Sequence, residues 1–320
     1  MSPTPMSKKI VITGGAGFIG SALARALVAR GDDISVLDNF SSGKRENLQD
    51  LAGTVAVVEG DILDAALLDR VFAGADVVFH EAAIPSVPRS LAAPLPSHNA
   101  NATGTLNVLE AARRCKVRRV VYAGSSSAYG EPPSLPVVET MAPMPLSPYA
   151  VSKLAGEHYC RVYARVFGVQ AVILRYFNVF GPRQDPNSQY AAVIPRFITA
   201  ALDDRPATVY GDGEQSRDFC FIDNVVEANL RAADADGASG KVFNIACGSG
   251  TSLNRVIALL GEALGRPVTA RHEPARAGDV RHSLADVSQA KTVLGYTAPV
   301  DFSTGLARTL AWFREQRSTR

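Results

Sequence analysis

The chain has no uninterrupted apolar run long enough to cross a bilayer as a helix, so a helical membrane span is not expected. Cysteine is scarce. Cys115, Cys160, Cys220 and Cys247 lie far apart and form no C-x-x-C pair, which argues against a zinc ribbon or a disulfide framework and fits a reducing compartment. Neither sign of charge prevails: 33 basic side chains stand against 31 acidic ones, for a formal net charge of +2. There is no basic block and no aromatic-basic alternation, so nucleic acid is not an expected partner. The cluster Arg113, Arg114, Lys116, Arg118 and Arg119 reads as a solvated helix end leading into a strand. Met1 to Lys9 is polar, carries Pro3 and Pro5, and lacks the apolar core of a signal peptide, so the expected location is the cytoplasm. His272 and His282 stand isolated, and no metal site is expected.

What is present is ordinary globular composition, with 47% hydrophobic and 20% charged residues in 320. Short β-branched runs alternate with helical patterns. Ile10 to Thr13 precedes Ser21 to Arg30, and Ile34 to Leu37, Val55 to Val58, Asp76 to Phe79, Arg119 to Tyr122 and Gln170 to Leu174 follow. These strands are apolar at successive positions, as when helices cover both faces of a parallel sheet. The expected fold is therefore α/β, a doubly wound parallel Rossmann sheet with a smaller C-terminal substrate-binding region. Residues 1–180 would hold the dinucleotide and the catalytic groups. Residues 181–320, rich in Gly, Pro and Asp loops, would mainly bind substrate and return to the sheet near Val242 to Ile245. There is no linker, repeat or low-complexity segment.

Gly14, Gly17 and Gly20 form G-x-x-G-x-x-G between the first strand and the first helix. Glycines there allow a tight turn and close approach of a pyrophosphate, which the helix N-terminus attracts. Asp38 ends the second strand, where a carboxylate can accept from ribose hydroxyls, and Asn39 rather than arginine follows it. NAD is expected over NADP, with Lys44 and Arg45 the residues that speak for NADP. Asp61 and Ile62 end the third strand beside the adenine position; the plainer reading of Asp61 is a loop cap. Further on, Ser125 ends a strand, and Tyr149 and Lys153 stand four apart after Pro148, on one face of a helix. A phenol with a pKa of about 10 is a poor base at neutral pH, and a neighbouring ammonium is expected to lower it. Tyr149 could then take a hydroxyl proton while Ser125 bonds the same oxygen. A lone Tyr-x-x-x-Lys has the plainer reading of a packed ring beside a solvated amine; the serine-ended strand and the glycine turn favour catalysis.

These motifs, with Asn101 to Thr105, Leu174 to Pro182, Arg217-Asp218-Phe219 and Phe243 to Ala246, resemble the extended short-chain dehydrogenase/reductases of the NAD-dependent epimerase/dehydratase family over essentially the whole length. The resemblance implies NAD as cofactor and Ser125, Tyr149 and Lys153 as catalytic residues. It implies cofactor contacts at Gly14, Gly17, Phe18, Ile19, Gly20, Asp38, Asn39, Ser42, Gly43, Asp61, Ile62, Ala82, Asn101, Tyr149, Lys153 and Tyr176. Substrate contacts are implied at Ser126, Asn178, Val193, Tyr210, Arg217, Arg276, Asp279 and Ser283, the two arginines pairing with a diphosphate. Family 4,6-dehydratases carry Asp-Glu after the serine, and Ser126-Ser127 here disfavours elimination. More closely still, the chain resembles bacterial UDP-N-acetylglucosamine 4-epimerases at Leu146 to Val151, Arg183 to Asn187, Tyr190 to Pro195 and Gly278 to Asp286. Ser283 falls where epimerases confined to unacetylated sugars have tyrosine, leaving room for a 2-acetamido group, unless it merely opens a strand. Epimerisation of UDP-glucose/galactose or of a UDP-uronic acid, and a non-catalytic NAD-sensing module, are the competing readings. The family also implies a homodimer built on the helices near Asn101 to Cys115 and Pro148 to Phe167.

Overall fold

The computed structural model describes residues 7–186, 192–275 and 280–318. Six strands alternate with helices: β1 (Lys9–Thr13), β2 (Asp33–Asp38), β3 (Ala56–Glu59), β4 (Val77–His80), β5 (Arg119–Ser125) and β6 (Ala171–Tyr176). A seventh, Val242–Ile245, returns from the C-terminal part of the chain and pairs in parallel with β6, as the sequence predicts. The sheet order is Val242–Ile245, β6, β5, β4, β1, β2, β3, and every neighbouring pair is parallel. The order reverses between β1 and β4, so a crevice opens at their carboxyl ends, where open α/β sheets bind ligands.

Alternation along the strands sends Ile10, Ile12, Val36, Phe79 and Val121 to one face, packed on Leu23 and Leu27 of the Phe18–Ala29 helix and Val225 and Ala228 of the Ile222–Asp234 helix. Val11, Leu37, Val78, Val120 and Tyr122 go to the other, against the helices Ala65–Phe72, Gly104–Arg114 and Pro148–Val166. β3 departs from this pattern. It is the outermost strand, and Val57 is 45% exposed because no further strand or helix covers that edge. A separate core joins Phe180, Ile198, Phe219, Leu260 and Leu310 from the second half of the chain.

The expected solvated cluster of cations holds for Arg113 and Arg114, which pair with Glu110 and Asp69 at the surface. Arg119 does not belong to it. It is 3% exposed and donates to the carbonyls of Ala232 and Ala235 at 2.8 and 3.0 Å, closing the C-terminal end of the Ile222–Asp234 helix. Cations are welcome there because the last carbonyls of a helix lack partners. All four cysteines are free thiols.

Candidate active site

The crevice is walled by glycine. Gly14 takes φ +71°, and a Cβ there would come 2.6 Å from the backbone of Ala82, just past β4. At Gly20 a Cβ would come 2.3 Å from the Gly14 carbonyl oxygen. Gly17 opens the Phe18–Ala29 helix with no side-chain cap and no acid in the first turn, so its amide end is available to an anion. This cradle, too tight for any side chain, fits a pyrophosphate.

Asp38 is 7% exposed and accepts from the amides of Ala16 at 2.9 Å and Phe40 at 2.8 Å. Burial pushes its carboxyl up, and those two amides pull it back. Gly43 lies so close that a Cβ would sit 2.8 Å from the carboxylate oxygens, whereas Ser42 is exposed. Asn39 donates to Asp61 at 2.7 Å, and Asp61 also accepts from the amide of Leu63, so its loop-cap role is real. Ile62 is buried beneath this edge and packs where Gly104 leaves space. Lys44 and Arg45 are paired with Asp185 and Glu59, at 2.7 and 2.5 Å. That engagement, with the acid at Asp38, fits NAD better than NADP.

Two expected cofactor residues spend their polar groups on the protein. Asn101 is buried and exchanges hydrogen bonds with the backbone of Ile84 while donating to Ser152 Oγ at 3.0 Å, tying the loop after β4 to the Pro148–Val166 helix. The Tyr176 hydroxyl donates to Glu81 Oε1 at 2.8 Å and accepts from Asn229 Nδ2 at 2.9 Å.

Ser125 ends β5 in register with Tyr176 of β6. Its Oγ accepts from the amide of Ser127 and lies 2.8 Å from Ser127 Oγ, starting the short turn that carries Ser126. Pro148 opens the next helix, and Ser147 caps it by accepting from the amide of Ala150 at 3.2 Å. The Tyr149 amide donates to Ser90 Oγ at 3.0 Å, which fixes the first turn. Lys153 follows one turn later, 4% exposed, its Nζ 4.9 Å from the centre of the Tyr122 ring. Tyr122 reaches up to donate to the Lys153 carbonyl, and only a glycine at 156 admits it, since a Cβ there would come 2.3 Å from the phenol oxygen.

The electrostatics differ from the expectation at one point. Burial pushes the Tyr149 phenol up, and the group that pulls it back is the Ser125 hydroxyl, not the Lys153 ammonium. Desolvation outweighs the helix spacing here, and the ammonium lies over Tyr122 and in the field of Glu81 instead. Burial lowers Lys153 to about 8 against the raising effect of Glu81. Glu81 itself is pushed up to about 7 by burial, with the Tyr176 hydroxyl and Lys153 opposing. Nothing in the residue spacing singles out Glu81 or Tyr122; both reach the site through the order of β4 and β5 in the sheet.

Just past the end of β6 lies a cleft of about 250 Å³ lined by Asn178, Val193, Tyr210 and Arg217, all expected for substrate, and by Arg196, which sequence reasoning missed. Arg217 donates to the carbonyls of Ser216 and Arg281, which holds its guanidinium at the cleft wall. Asn178 Nδ2 reaches Ser283 Oγ at 3.4 Å, so Ser283 stands next to a cleft residue and also hydrogen-bonds Ser216 through its amide. Arg276, Asp279 and Tyr190 lie outside the described residues. His282 and His272 are exposed and bond Ser216 Oγ and the Gly211 carbonyl, and no group of three metal-ligating side chains occurs among the described residues.

An uncapped helix start in a glycine cradle, an acid ending β2, and a serine at the end of β5 acting on a helix-borne tyrosine fit an α/β enzyme that works with a bound dinucleotide. The chain belongs to the NAD dependent epimerase/dehydratase family, whose model matches residues 10–246. It is 38% identical over 312 residues to UDP-glucose 4-epimerase of Mycolicibacterium smegmatis, covering 96% of this chain and 99% of that one. Among solved structures it is similar to UDP-N-acetylglucosamine 4-epimerase from Methanobrevibacter ruminantium in complex with UDP-N-acetylmuramic acid, with a TM-score of 0.91, 38% identity, and coverage of 97% and 99% of the two chains. UDP-glucuronic acid 4-epimerase from Bacillus cereus, in complex with UDP-glucuronic acid and NAD, is similar with a TM-score of 0.89, 35% identity, and coverage of 96% and 99%.

Proposed function

We propose that this chain is an NAD-dependent 4-epimerase of UDP-sugars, and that UDP-N-acetylglucosamine is its preferred substrate, interconverted with the galacto epimer through a 4-keto sugar. The observation that supports the reading is the Ser125 hydroxyl, at the carboxyl end of β5, acting on the Tyr149 phenol, with Lys153 buried one helical turn further on and the glycine turn following β1. Bound there by the Gly14 to Gly20 turn and Asp38, NAD would supply the acceptor that takes the carbon-4 hydrogen as hydride and returns it. Tyr149 removes and restores the 4-hydroxyl proton. Ser125 already pulls the phenol toward ionisation and is placed to hold the same sugar oxygen. Lys153, buried one helical turn beyond Tyr149, would add positive charge once a phenolate forms, although in the resting site its ammonium lies over Tyr122. The Asn178, Arg196 and Arg217 side of the cleft suits the nucleotide diphosphate, since guanidinium groups match phosphate geometry. With the diphosphate held, the planar 4-keto sugar turns and presents its opposite face.

The serine at 283, beside Asn178, supports the acetylated substrate, because a large side chain there would crowd the 2-position. Relatives acting on UDP-glucose and UDP-glucuronic acid make those the competing substrates. Purified enzyme offered UDP-N-acetylglucosamine, UDP-glucose and UDP-glucuronic acid separately, with products resolved by proton NMR, decides among them.

A homodimer is part of the same proposal. Val151, Tyr159, Val162, Val166 and Phe167 form an exposed apolar stripe on the Pro148–Val166 helix, with Leu91 and Leu95 exposed close by. Such a stripe at helical spacing suits a second copy of the helix. Among the described residues no helix is long and apolar enough to cross a membrane. With four free thiols, we place the enzyme in the cytoplasm.

A further inference from the structure

Asp218 ends the Ser216–Asp218 strand, one residue after Arg217, and its carboxylate is fully buried. Oδ1 accepts from the amide of Cys247 at 2.9 Å, and Oδ2 accepts from the amides of Gly248 at 3.0 Å and Ala285 at 3.2 Å. Two of those amides follow the Val242–Ile245 strand of the main sheet, and the third belongs to the segment that carries Ser283. The backbone of the same short strand completes the joint. Ser216 donates to the Arg281 carbonyl and accepts from the Ser283 amide, and the Asp218 carbonyl accepts from Asn178 Nδ2 at 3.3 Å. We propose that Asp218 is a positioning residue for the substrate: its carboxylate pins residues 281–285 and the Ser216–Asp218 strand to the end of the sheet, which fixes Arg217, Asn178 and Ser283 as one wall of the cleft. This inference rests on the proposed function, which places the nucleotide diphosphate against that wall.

The joint calls for a carboxylate. Three N–H donors from two segments converge on two oxygens, and an ionised carboxyl group is acceptor-only, with room for all three. Hydrogen bonds to a charged acceptor are roughly twice as strong as neutral ones. Burial pushes the Asp218 carboxyl up to about 6, and the amides pull it back, so it is ionised at neutral pH. The other ties on this segment are neutral and lead elsewhere: Val137 donates to the Leu284 carbonyl and accepts from the Asp286 amide. They hold the segment to Val137 and not to the strand that bears Arg217. The Arg217 guanidinium hangs on the carbonyls of Ser216 and Arg281 at 2.9 and 3.1 Å, so a shift of residues 281–285 carries it along. Ser283 Oγ and Asn178 Nδ2, 3.4 Å apart, are linked to the same shift. Asp218 is sealed from solvent, and it acts on a substrate only through these three residues.

The test is calorimetric binding of UDP to the NAD-loaded enzyme, with Asp218→Asn as the variant. Asparagine keeps the shape but turns one oxygen into a donor that faces other donors, so at least one of the three bonds is lost. UDP should bind about ten- to a hundredfold more weakly, and KM for UDP-N-acetylglucosamine should rise by a similar factor. Ser125, Tyr149 and Lys153 stand on other elements, so kcat at saturating substrate should stay within about threefold of the parent value. NAD affinity, read separately by fluorescence, should not change. UDP affinity equal to the parent's overturns the proposal, as does a loss confined to kcat. An equal weakening of UDP and NAD also overturns it, because that marks a general loss of structure. If the Asn variant does not fold, an ester in place of the Leu284–Ala285 peptide bond removes one N–H and leaves every side chain, and unchanged UDP affinity there overturns the proposal. A parent enzyme that binds UDP but converts no UDP-sugar would sink the epimerase reading and leave this role standing, and one that binds no UDP would sink both.

Discussion

At the scale of single residues, Tyr149→Phe separates chemistry from binding most cleanly. The ring and its packing are kept and one oxygen is lost, so kcat should fall by about 10²- to 10⁴-fold while calorimetry shows UDP-sugar affinity nearly unchanged. Gly20→Ala acts on the cofactor side. Its new Cβ would press into the Gly14 carbonyl, so the turn must shift at a cost of about 1–3 kcal/mol. NAD should bind more than tenfold more weakly by fluorescence titration; undiminished binding would show that the turn is not the cradle. In the proposed mechanism Lys153 sets the alkaline limit of activity. Burial brings it to about 8, so the ammonium is present below that pH and is lost as pH rises through it, and kcat should decline there. The residues proposed to do chemistry were legible in the sequence because spacing encodes them: Gly-x-x-Gly-x-x-Gly after a strand, and Tyr and Lys four apart after a proline. Glu81, Tyr122 and Arg196 were not, since they meet the site through contacts between segments distant in the chain.

Elements carry these residues, and their ends and joints set the geometry. Ser147 caps the helix two residues before Tyr149, so Ser147→Ala should destabilise the protein by about 1 kcal/mol in urea unfolding and lower kcat more than it raises KM. Further along the same helix, Glu157 pairs with Arg175 of β6; both side chains are 2% exposed, and the guanidinium lies 4.4 Å from the Tyr129 ring centre. Arg175→Met would strand a buried carboxylate and should cost about 3–5 kcal/mol, read as a lower urea midpoint. Strand and helix positions came through in the sequence because apolar runs of period 2 and 3.6 are local. The state of an element's neighbours is not local. Val55 to Val58 reads like the other strands but lies at the sheet's edge, and Arg119 reads as a surface cation but closes a helix more than a hundred residues away.

At the scale of the whole molecule, the reversal of strand order between β1 and β4 opens the crevice, and it brings the glycine turn from residue 14 against Ala82, just past β4. The strip from Val151 to Phe167 is outside that crevice and is proposed to seat a second copy. Val162→Glu should therefore convert a dimer to a monomer in sedimentation velocity, because a two-fold interface buries each charge twice; a parent protein that sediments as a monomer contradicts the interface. The central claim is the reaction and its substrate, and product analysis by proton NMR with NAD present tests it most directly. The account predicts the galacto epimer forming mainly from UDP-N-acetylglucosamine, with UDP-glucose and UDP-glucuronic acid converted slowly or not at all. Conversion of UDP-glucose or UDP-glucuronic acid alone would contradict the reading of Ser283 while keeping the mechanism, and no epimer from any of the three would contradict the mechanism itself.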